Sequence, residues 1–175
     1  MKKTALITGA ASGIGKAFST IHAEKGGNIV ALTALTRQFL PDFVERDSGR
    51  ILNVSSTVSL VPGPLQAVYF ATKAYVTSFS NALSGELSET GVSMTALLPG
   101  ATKTAFGDHS GMNKTVIYKK PASAKEVALT GYEAMEEGKI EVIAGLPWEQ
   151  RVELAFIPFL SKKVLIQRMK KQTAE

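Results

Sequence analysis

The chain has 175 residues, of which 45% are hydrophobic and 20% are charged, and it contains no cysteine. This length suits a single domain, residues 1–175, with one buried core. The composition excludes the disordered and fibrous classes of protein, and the lack of cysteine excludes disulfides and cysteine-ligated metal sites. No metal site is predicted.

The formal net charge is +5, and much of the excess lies near the end of the chain. Residues 148–175 are interpreted as a basic amphipathic tail, for which a solvated helix face and weak peripheral membrane contact are both open. The sequence lacks the aromatic-basic pattern of a nucleic-acid surface, and no apolar run is long enough to span a bilayer. Because no signal-peptide pattern is present, a cytoplasmic protein is expected.

Hydrophobic spacing predicts strands and helices in alternation along the chain. Strands are predicted at 4–8, 28–30, 51–55, 92–98 and 140–144, and helices at 13–25, 31–46, 69–89 and 122–137. This alternation is typical of an α/β fold, a doubly wound parallel sheet with helices on both faces. The polar stretch 106–120 is predicted to be a loop over the carboxyl edge of the sheet, where such proteins bind their ligands.

Three glycines, Gly9, Gly13 and Gly15, lie where the first predicted strand gives way to the first predicted helix. Glycine allows the backbone to turn tightly and to approach a ligand closely. The unpaired N–H groups and positive dipole at the start of the helix suit the pyrophosphate of a dinucleotide. A plain glycine turn is the alternative interpretation.

A second pattern joins a tyrosine, a lysine and a serine. Tyr69 and Lys73 are four residues apart on a predicted helix and therefore share a face. A free tyrosine has a pKa of about 10, and a neighbouring ammonium group favours its ionised form, which suits it to proton transfer. Ser56, just beyond a predicted strand, can hydrogen-bond a substrate oxygen. A tyrosine and a lysine at this spacing are also common on helix surfaces, so the combination carries the prediction.

Four runs of sequence resemble motifs of the short-chain dehydrogenase family. They are TGAASGIG at 8–15, ILNVSS at 51–56, YFATK at 69–73 and PGATKT at 99–104. The resemblance covers nearly the whole chain. It implies a Rossmann-like fold and hydride transfer between NAD or NADP and a small-molecule alcohol or carbonyl substrate, without distinguishing the two cofactors.

The resemblance also implies a role for each matching residue. Tyr69 would be the acid/base, Lys73 would tune it and reach the nicotinamide ribose, and Ser56 would orient the substrate. Thr104 would bond the nicotinamide carboxamide. The implied cofactor-binding residues are Gly9, Ser12, Gly13, Ile14, Gly15, Tyr69, Lys73, Pro99, Gly100, Thr102 and Thr104.

The resemblance falls into two blocks with a junction near residues 30–31. The family segment between them is expected to have no counterpart in the chain. It holds the adenosine-ribose selector, an Asp that brackets the adenine, an Asn-Asn-Ala-Gly motif and a catalytic-helix asparagine that helps the proton relay; Asn53 and Asn81 lie elsewhere and are not expected to replace that asparagine. Cofactor affinity should suffer most, so a catalytically silent binding or scaffold protein is the alternative function.

The missing segment also bears on the strand order, which in the family is 3-2-1-4-5-6-7. Loss of the third and fourth strands would leave unpaired strand edges inside the core, which is costly. We therefore expect the sheet to close up to five strands in the order 2-1-5-6-7. Strand 4–8 would then pair directly and in parallel with strand 51–55, which brings the glycine turn and Ser56 to neighbouring strand ends.

Association and the substrate pocket are further expectations. In the family, the helices that correspond to 31–46 and 69–89 pair across a two-fold axis, which implies a homodimer or homotetramer. Val76, Phe79 and Leu83 are the candidate contact positions, and burial against the sheet is the alternative. The segment Pro62-Gly63-Pro64-Leu65 is expected to line the substrate pocket together with the 106–120 loop.

Overall fold

The computed structural model describes residues 5–8, 27–104 and 121–173, with side chains for 30–104 and 121–172. The strands are β1 (Ala5–Thr8), β2 (Gly49–Val54), β3 (Val92–Pro99) and β4 (Glu141–Ala144). The helices are α1 (Gly27–Glu45), α2 (Ala67–Glu86), α3 (Ala124–Glu136), α4 (Trp148–Ala155) and α5 (Lys162–Thr173). Short 3-10 helices span Thr57–Leu60 and Ile157–Phe159.

All strand pairs in the described sheet are parallel, and the order is β1-β2-β3-β4. β1 pairs directly with β2, with Leu6 opposite Ile51 and Thr8 opposite Asn53. The predicted pairing of the first strand with the serine strand is therefore confirmed. In the numbering of the family sheet, the observed order is 1-5-6-7.

The predicted strand at 28–30 is wrong, because residues 27–45 form one continuous helix, α1. A short apolar run has no period of its own, so it cannot be assigned to a strand or to a helix without its neighbours. Here the neighbours decide for a helix. Leu32, Thr36 and Phe43 recur at helical spacing and are buried. The described sheet thus has four strands, and the expected order 2-1-5-6-7 loses the strand placed at 28–30.

Helices cover both faces of the sheet, as predicted for a doubly wound fold. Because successive strand residues point to opposite faces, the neighbouring residues Ile51 and Leu52 of β2 enter different cores. Ile51 packs in a cluster with Phe43, Leu87, Val92 and Met94, on the side of α1 and α2. Leu52 packs in a cluster with Leu97, Val127, Met135 and Ala144, on the side of α3.

The remaining predicted elements agree with the structure within a few residues. α2 corresponds to the helix predicted at 69–89, and α3 corresponds to the helix predicted at 122–137. The predicted helix 13–25 and the loop 106–120 lie outside the described residues. None of the helices within the described ranges is long and apolar enough to cross a membrane.

Two glycines on either side of the turn between α2 and β3 have opposite surroundings. A Cβ at Gly91 would collide with the backbone oxygen of Asp47, whereas a Cβ at Gly85 would meet nothing within 4 Å. We expect Gly91→Ala to lower the free energy of unfolding by about 1–3 kcal/mol, because backbone must move. Gly85→Ala, in the last turn of α2, should raise it by about 0.5–1 kcal/mol. Urea unfolding of both variants tests the pair, and equal effects would contradict the packing described.

Candidate functional site

The candidate site lies at the carboxyl ends of β2 and β3. Ser56 follows the end of β2, α2 carries Tyr69 and Lys73, and Pro99 is the last residue of β3. β1 ends at Thr8, opposite Asn53, so its carboxyl end lies at the same edge of the sheet. Gly9, Ser12, Gly13, Ile14 and Gly15 themselves lie outside the described residues.

Lys73 extends from α2 towards the end of β2. Its Nζ donates a hydrogen bond to the carbonyl oxygen of Val54 at 3.0 Å and lies 6.0 Å from the centre of the Tyr69 ring. Burial lowers the pKa of Lys73 from its usual 10.5 to about 8, because a desolvated ammonium group is less stable than a hydrated one. The ammonium is thus fixed beside the tyrosine, as the four-residue spacing predicts.

Tyr69 is half-buried, and its ring is held by apolar neighbours. Phe70, which is buried, meets it edge to face with ring centres 6.1 Å apart. Tyr69 also packs against a cluster formed by Val58, Phe70 and Met169 of α5. The carboxyl-terminal helix therefore helps to orient the tyrosine.

Ser56 caps the 3-10 helix that follows β2. Its Oγ accepts a hydrogen bond from the backbone N–H of Val58 at 3.4 Å and donates one to the carbonyl oxygen of Pro99 at 3.3 Å. Both bonds are long, and a substrate oxygen that accepts a shorter one from Ser56 would compete well with Pro99. The serine hydroxyl is therefore positioned between the ends of β2 and β3.

Ser55 has a different set of partners, which sequence analysis did not anticipate. Its Oγ donates to the backbone oxygen of Lys73 at 2.8 Å and shares a hydrogen bond with Thr77 Oγ1 at 2.6 Å. Thr77 Oγ1 is in turn within hydrogen-bond distance of Ser59 Oγ, at 3.0 Å. This buried network ties the middle of α2 to the end of β2 and so supports the position of Lys73. The only available signal was the placement of Thr77 one helical turn after Lys73.

The turn from Pro99 to Thr104 packs against the segments around β4 and α3. The Gly100 N–H donates to the backbone oxygen of Ala144 at 2.9 Å, and a Cβ at Gly100 would collide with Leu146. Thr102 Oγ1 donates to the backbone oxygen of Gly100 at 3.0 Å, and Thr104 Oγ1 to that of Thr102 at 3.5 Å. The bond of Thr104 is at the limit of a hydrogen bond, so this hydroxyl is readily redirected to a ligand.

The two asparagines that were not expected to act in the site have structural partners. Asn53 is buried in β2, where its amide donates to Ser80 Oγ at 2.9 Å and to the sulfur of Met94 at 3.8 Å. Asn81 donates to a carboxylate oxygen of Glu141 at 3.0 Å. Both tie α2 to the sheet.

A cleft of about 250 Å³ opens beside the end of β3, between the 3-10 helix Thr57–Leu60 and the carboxyl-terminal helices α4 and α5. It is lined by Thr57, Val58, Val61, Gly100, Ala101, Leu146, Gln150, Glu153, Leu154, Ile157, Leu165, Arg168, Met169 and Gln172. The expected pocket residues at 62–65 are not among them. Gly63 is buried against the Phe70 ring, and Leu65 is exposed. The carboxyl-terminal helices supply much of the lining instead, and the cleft lies next to Ser56, Tyr69 and Lys73 without being lined by them.

Two of the three candidate association residues are used inside the protomer. Val76 is 4% exposed, and Leu83 packs against the core on the side of α1. Phe79 stacks on Tyr75 with ring centres 5.6 Å apart. Burial within the chain therefore accounts for Val76 and Leu83, and the homodimer or homotetramer stays a prediction.

Comparison with known proteins gives matches along much of the described chain. A family model with the description "short chain dehydrogenase" matches residues 27–114, half of the chain. The very-long-chain 3-oxoacyl-CoA reductase of Rattus norvegicus is 44% identical over 72 residues, which are 41% of this chain and 23% of that protein. The 17-beta-hydroxysteroid dehydrogenase type 3 of Homo sapiens is 38% identical over 101 residues, which are 58% of this chain and 31% of that protein.

Among solved structures, a short chain dehydrogenase from Burkholderia cenocepacia J2315 in complex with NADP superposes with a TM-score of 0.69. The alignment covers 95% of this chain and 70% of that one at 23% sequence identity, and it establishes a common fold. The matched segments span only about a quarter to a third of the two curated relatives described above. The family match begins at Gly27, so it does not include the glycine turn.

Proposed function

Because this chain belongs to the short-chain dehydrogenase family, we propose that it is an NAD(P)-dependent oxidoreductase that interconverts an alcohol and a carbonyl compound. One observation carries the proposal. Lys73 holds a desolvated ammonium group 6.0 Å from the centre of the Tyr69 ring, at the strand edge where Ser56 also lies. A lysine and a tyrosine on a helix surface would share neither the burial nor the bond to Val54.

The proposed chemistry divides proton transfer and orientation among three side chains. Tyr69 donates its phenolic proton to the substrate oxygen in reduction and takes it back in oxidation. The Lys73 ammonium favours the ionised phenol and so makes the proton easier to release. Ser56 turns its hydroxyl from Pro99 to the substrate oxygen and holds it beside Tyr69. Phe70 and Met169 exclude water from one side of the tyrosine ring.

The described residues fit the nicotinamide half of a dinucleotide. Their hydrogen-bond donors suit the nicotinamide ribose and carboxamide, since the Lys73 ammonium group and the Thr102 and Thr104 hydroxyls lie around the carboxyl edge of the sheet. We propose that Lys73 holds the nicotinamide ribose and Thr104 the carboxamide, with Pro99 and Gly100 as the supporting turn. When bound, the dinucleotide supplies or accepts the hydride. The proposed pyrophosphate turn at 9–15 lies outside the described residues.

The substrate is proposed to be a ketone or secondary alcohol with an apolar body. The cleft has an apolar wall, formed by Val58, Val61, Leu154, Ile157, Leu165 and Met169. The names of the two relatives refer to a 3-oxoacyl-CoA and to a 17-beta-hydroxysteroid, which both combine an oxygen function with an extended hydrocarbon. Polar groups of Gln150 and Gln172 line the same cleft and would accommodate a polar end.

Asn28 is proposed to be the asparagine of the proton relay that sequence analysis took to be missing. α1 and the family match both include Asn28, which therefore lies on the helix before the serine strand. We expect Asn28→Ala to lower kcat about tenfold or more, because a proton relay loses a group that positions it, with little change in cofactor affinity. Steady-state kinetics and cofactor titration measure the two effects. An unchanged kcat would exclude this role.

Fluorescence titration of the purified chain with NADH and NADPH tests the proposed function against a silent scaffold. The oxidoreductase requires saturable binding, with an affinity lowered because the sequence is expected to lack the family segment for the adenosine, and the preferred cofactor is the one with the lower Kd. A folded protein that binds neither dinucleotide would contradict the proposal and favour the scaffold. Arg50→Gln is a suitable control variant and should bind the dinucleotide as the unchanged chain does, because Arg50 pairs with Glu136 away from the site.

A further inference from the structure

The carboxyl-terminal segment has a second apolar face, on the side away from the cleft. Leu154 and Ile157 point their apolar side chains into the cleft. Trp148, Val152, Phe156 and Phe159, at spacings of four, four and three residues, form what we call the outer stripe. Trp148 is 71% exposed, Phe156 59% and Phe159 83%. An amphipathic helix needs one apolar face to pack on its own fold, so the outer stripe serves no packing function within the described chain.

Single exposed hydrophobic residues are normal on protein surfaces, but several large exposed apolar side chains on one face mark an interaction surface. The outer stripe continues into α5, where Val164 and Ile166 are also exposed. Tryptophan and phenylalanine are the residues that amphipathic helices insert between lipid headgroups.

The charge around the outer stripe indicates the occupant. Residues 148–173 contain six basic side chains, Arg151, Lys162, Lys163, Arg168, Lys170 and Lys171, against two acidic ones, Glu149 and Glu153. Glu153 is already paired with Arg168. A second copy of this positive surface would repel the first, whereas an anionic surface is complementary to it. Lys162 and Lys163 are exposed and lie three and four residues after Phe159, the last residue of the stripe.

We propose that the outer stripe and the lysines of α5 dock this protein on an anionic lipid bilayer. The aromatic side chains enter the headgroup region, and the lysines contact the acidic lipids, which attract them electrostatically. The inner side of the same helices lines the cleft, so docking brings the cleft next to the bilayer.

Trp148 is the single tryptophan of the chain and lies in the outer stripe, so its fluorescence reports on the surface directly. With vesicles of phosphatidylcholine and phosphatidylserine in equal parts, we expect the Trp148 emission to shift to the blue and the protein to co-sediment with the vesicles. Vesicles of phosphatidylcholine alone should do neither, and added salt should weaken the effect. No shift with the mixed vesicles, or equal shifts with both, would overturn the proposal.

Variants separate the two components of docking. We expect Phe156→Ser with Phe159→Ser to weaken binding to the mixed vesicles about tenfold or more, because buried aromatic area is lost. Lys162→Glu with Lys163→Glu should weaken it about tenfold or more. Leu129→Ser and Lys125→Glu, exposed on α3, are matched controls that should leave binding unchanged. Circular dichroism verifies that each variant is folded. A stripe variant that keeps vesicle binding, or one that only dissociates an oligomer seen in sedimentation, would assign the surface to another role.

Discussion

Replacing Tyr69 by phenylalanine is expected to lower kcat for hydride transfer about 100-fold or more, because general acid–base catalysis contributes at least that much. The variant keeps the aromatic ring that packs against Phe70, Val58 and Met169, so the fold should be unchanged. Cofactor binding should also remain, since the phenolic hydroxyl and not the ring is removed. A difference in kcat between Tyr69→Phe and the unchanged protein therefore reports on the phenolic proton alone.

Steady-state rates with a ketone substrate and thermal unfolding of the same preparations measure the two expectations. Tyr132→Phe is the matched control, because Tyr132 is 51% exposed on α3, away from the strand edge. It should retain full activity. If Tyr69→Phe transferred hydride at the rate of the unchanged protein, another group would have to be the acid.

Replacing Lys73 by methionine is expected to lower kcat about tenfold or more and to remove a pH dependence. The Lys73 ammonium has a pKa of about 8, because burial disfavours its charge. In the unchanged protein, activity should therefore fall as the pH rises through about 8, where the ammonium loses its proton. The methionine variant has no such group, so its low activity should show no inflection near that pH.

Lys73→Met lowers the activity but should raise the free energy of unfolding. The folded-state pKa of Lys73 is below the usual 10.5, so between about 8 and 10.5 the unfolded chain binds more protons than the folded one. The cost of burying the charge is thus fully present below pH 8, and stability rises with pH across that window. Lys73→Met removes the cost, and we expect it to be more stable at neutral pH by about 1–3 kcal/mol.

Urea unfolding at neutral pH and above pH 10 measures this effect, with Lys125→Met on the exposed face of α3 as the control. A lysine that serves packing alone would behave differently. Its replacement would destabilise the protein at every pH and leave the pH profile of kcat as it was. Greater stability together with lower activity is the combination expected of a buried functional group.

Much of the fold follows from hydrophobic spacing. α2 and β3 are predicted within a few residues, because long amphipathic helices and apolar strands have unambiguous periods. The parallel pairing of β1 with β2 follows from the cost of unpaired strand edges. The strand at 28–30 fails because a run of three residues, two of them apolar, has no period, and burial further along α1 decides its conformation.

The catalytic end of the site is predictable for a related reason. Ser56, Tyr69 and Lys73 are brought to one edge by the strand end and by one turn of helix, which are both local features. The supporting bonds are not local. The contact of Lys73 with Val54 and the Ser55–Thr77 network depend on how closely α2 packs on the sheet. The wall that α4 and α5 contribute to the cleft depends on where the end of the chain folds back, which no spacing encodes.

Deuterium transfer tests most directly whether this chain performs hydride chemistry through Tyr69. NADH and NADPH labelled at the transferable position of the nicotinamide ring are mixed with a steroid ketone or a 3-oxoacyl thioester, and the alcohol is analysed by mass spectrometry. We predict a product alcohol that carries the label with the unchanged chain, and formation of that alcohol about 100-fold slower or more with Tyr69→Phe. Saturable binding of the dinucleotide without labelled alcohol from either ketone would contradict the proposed activity.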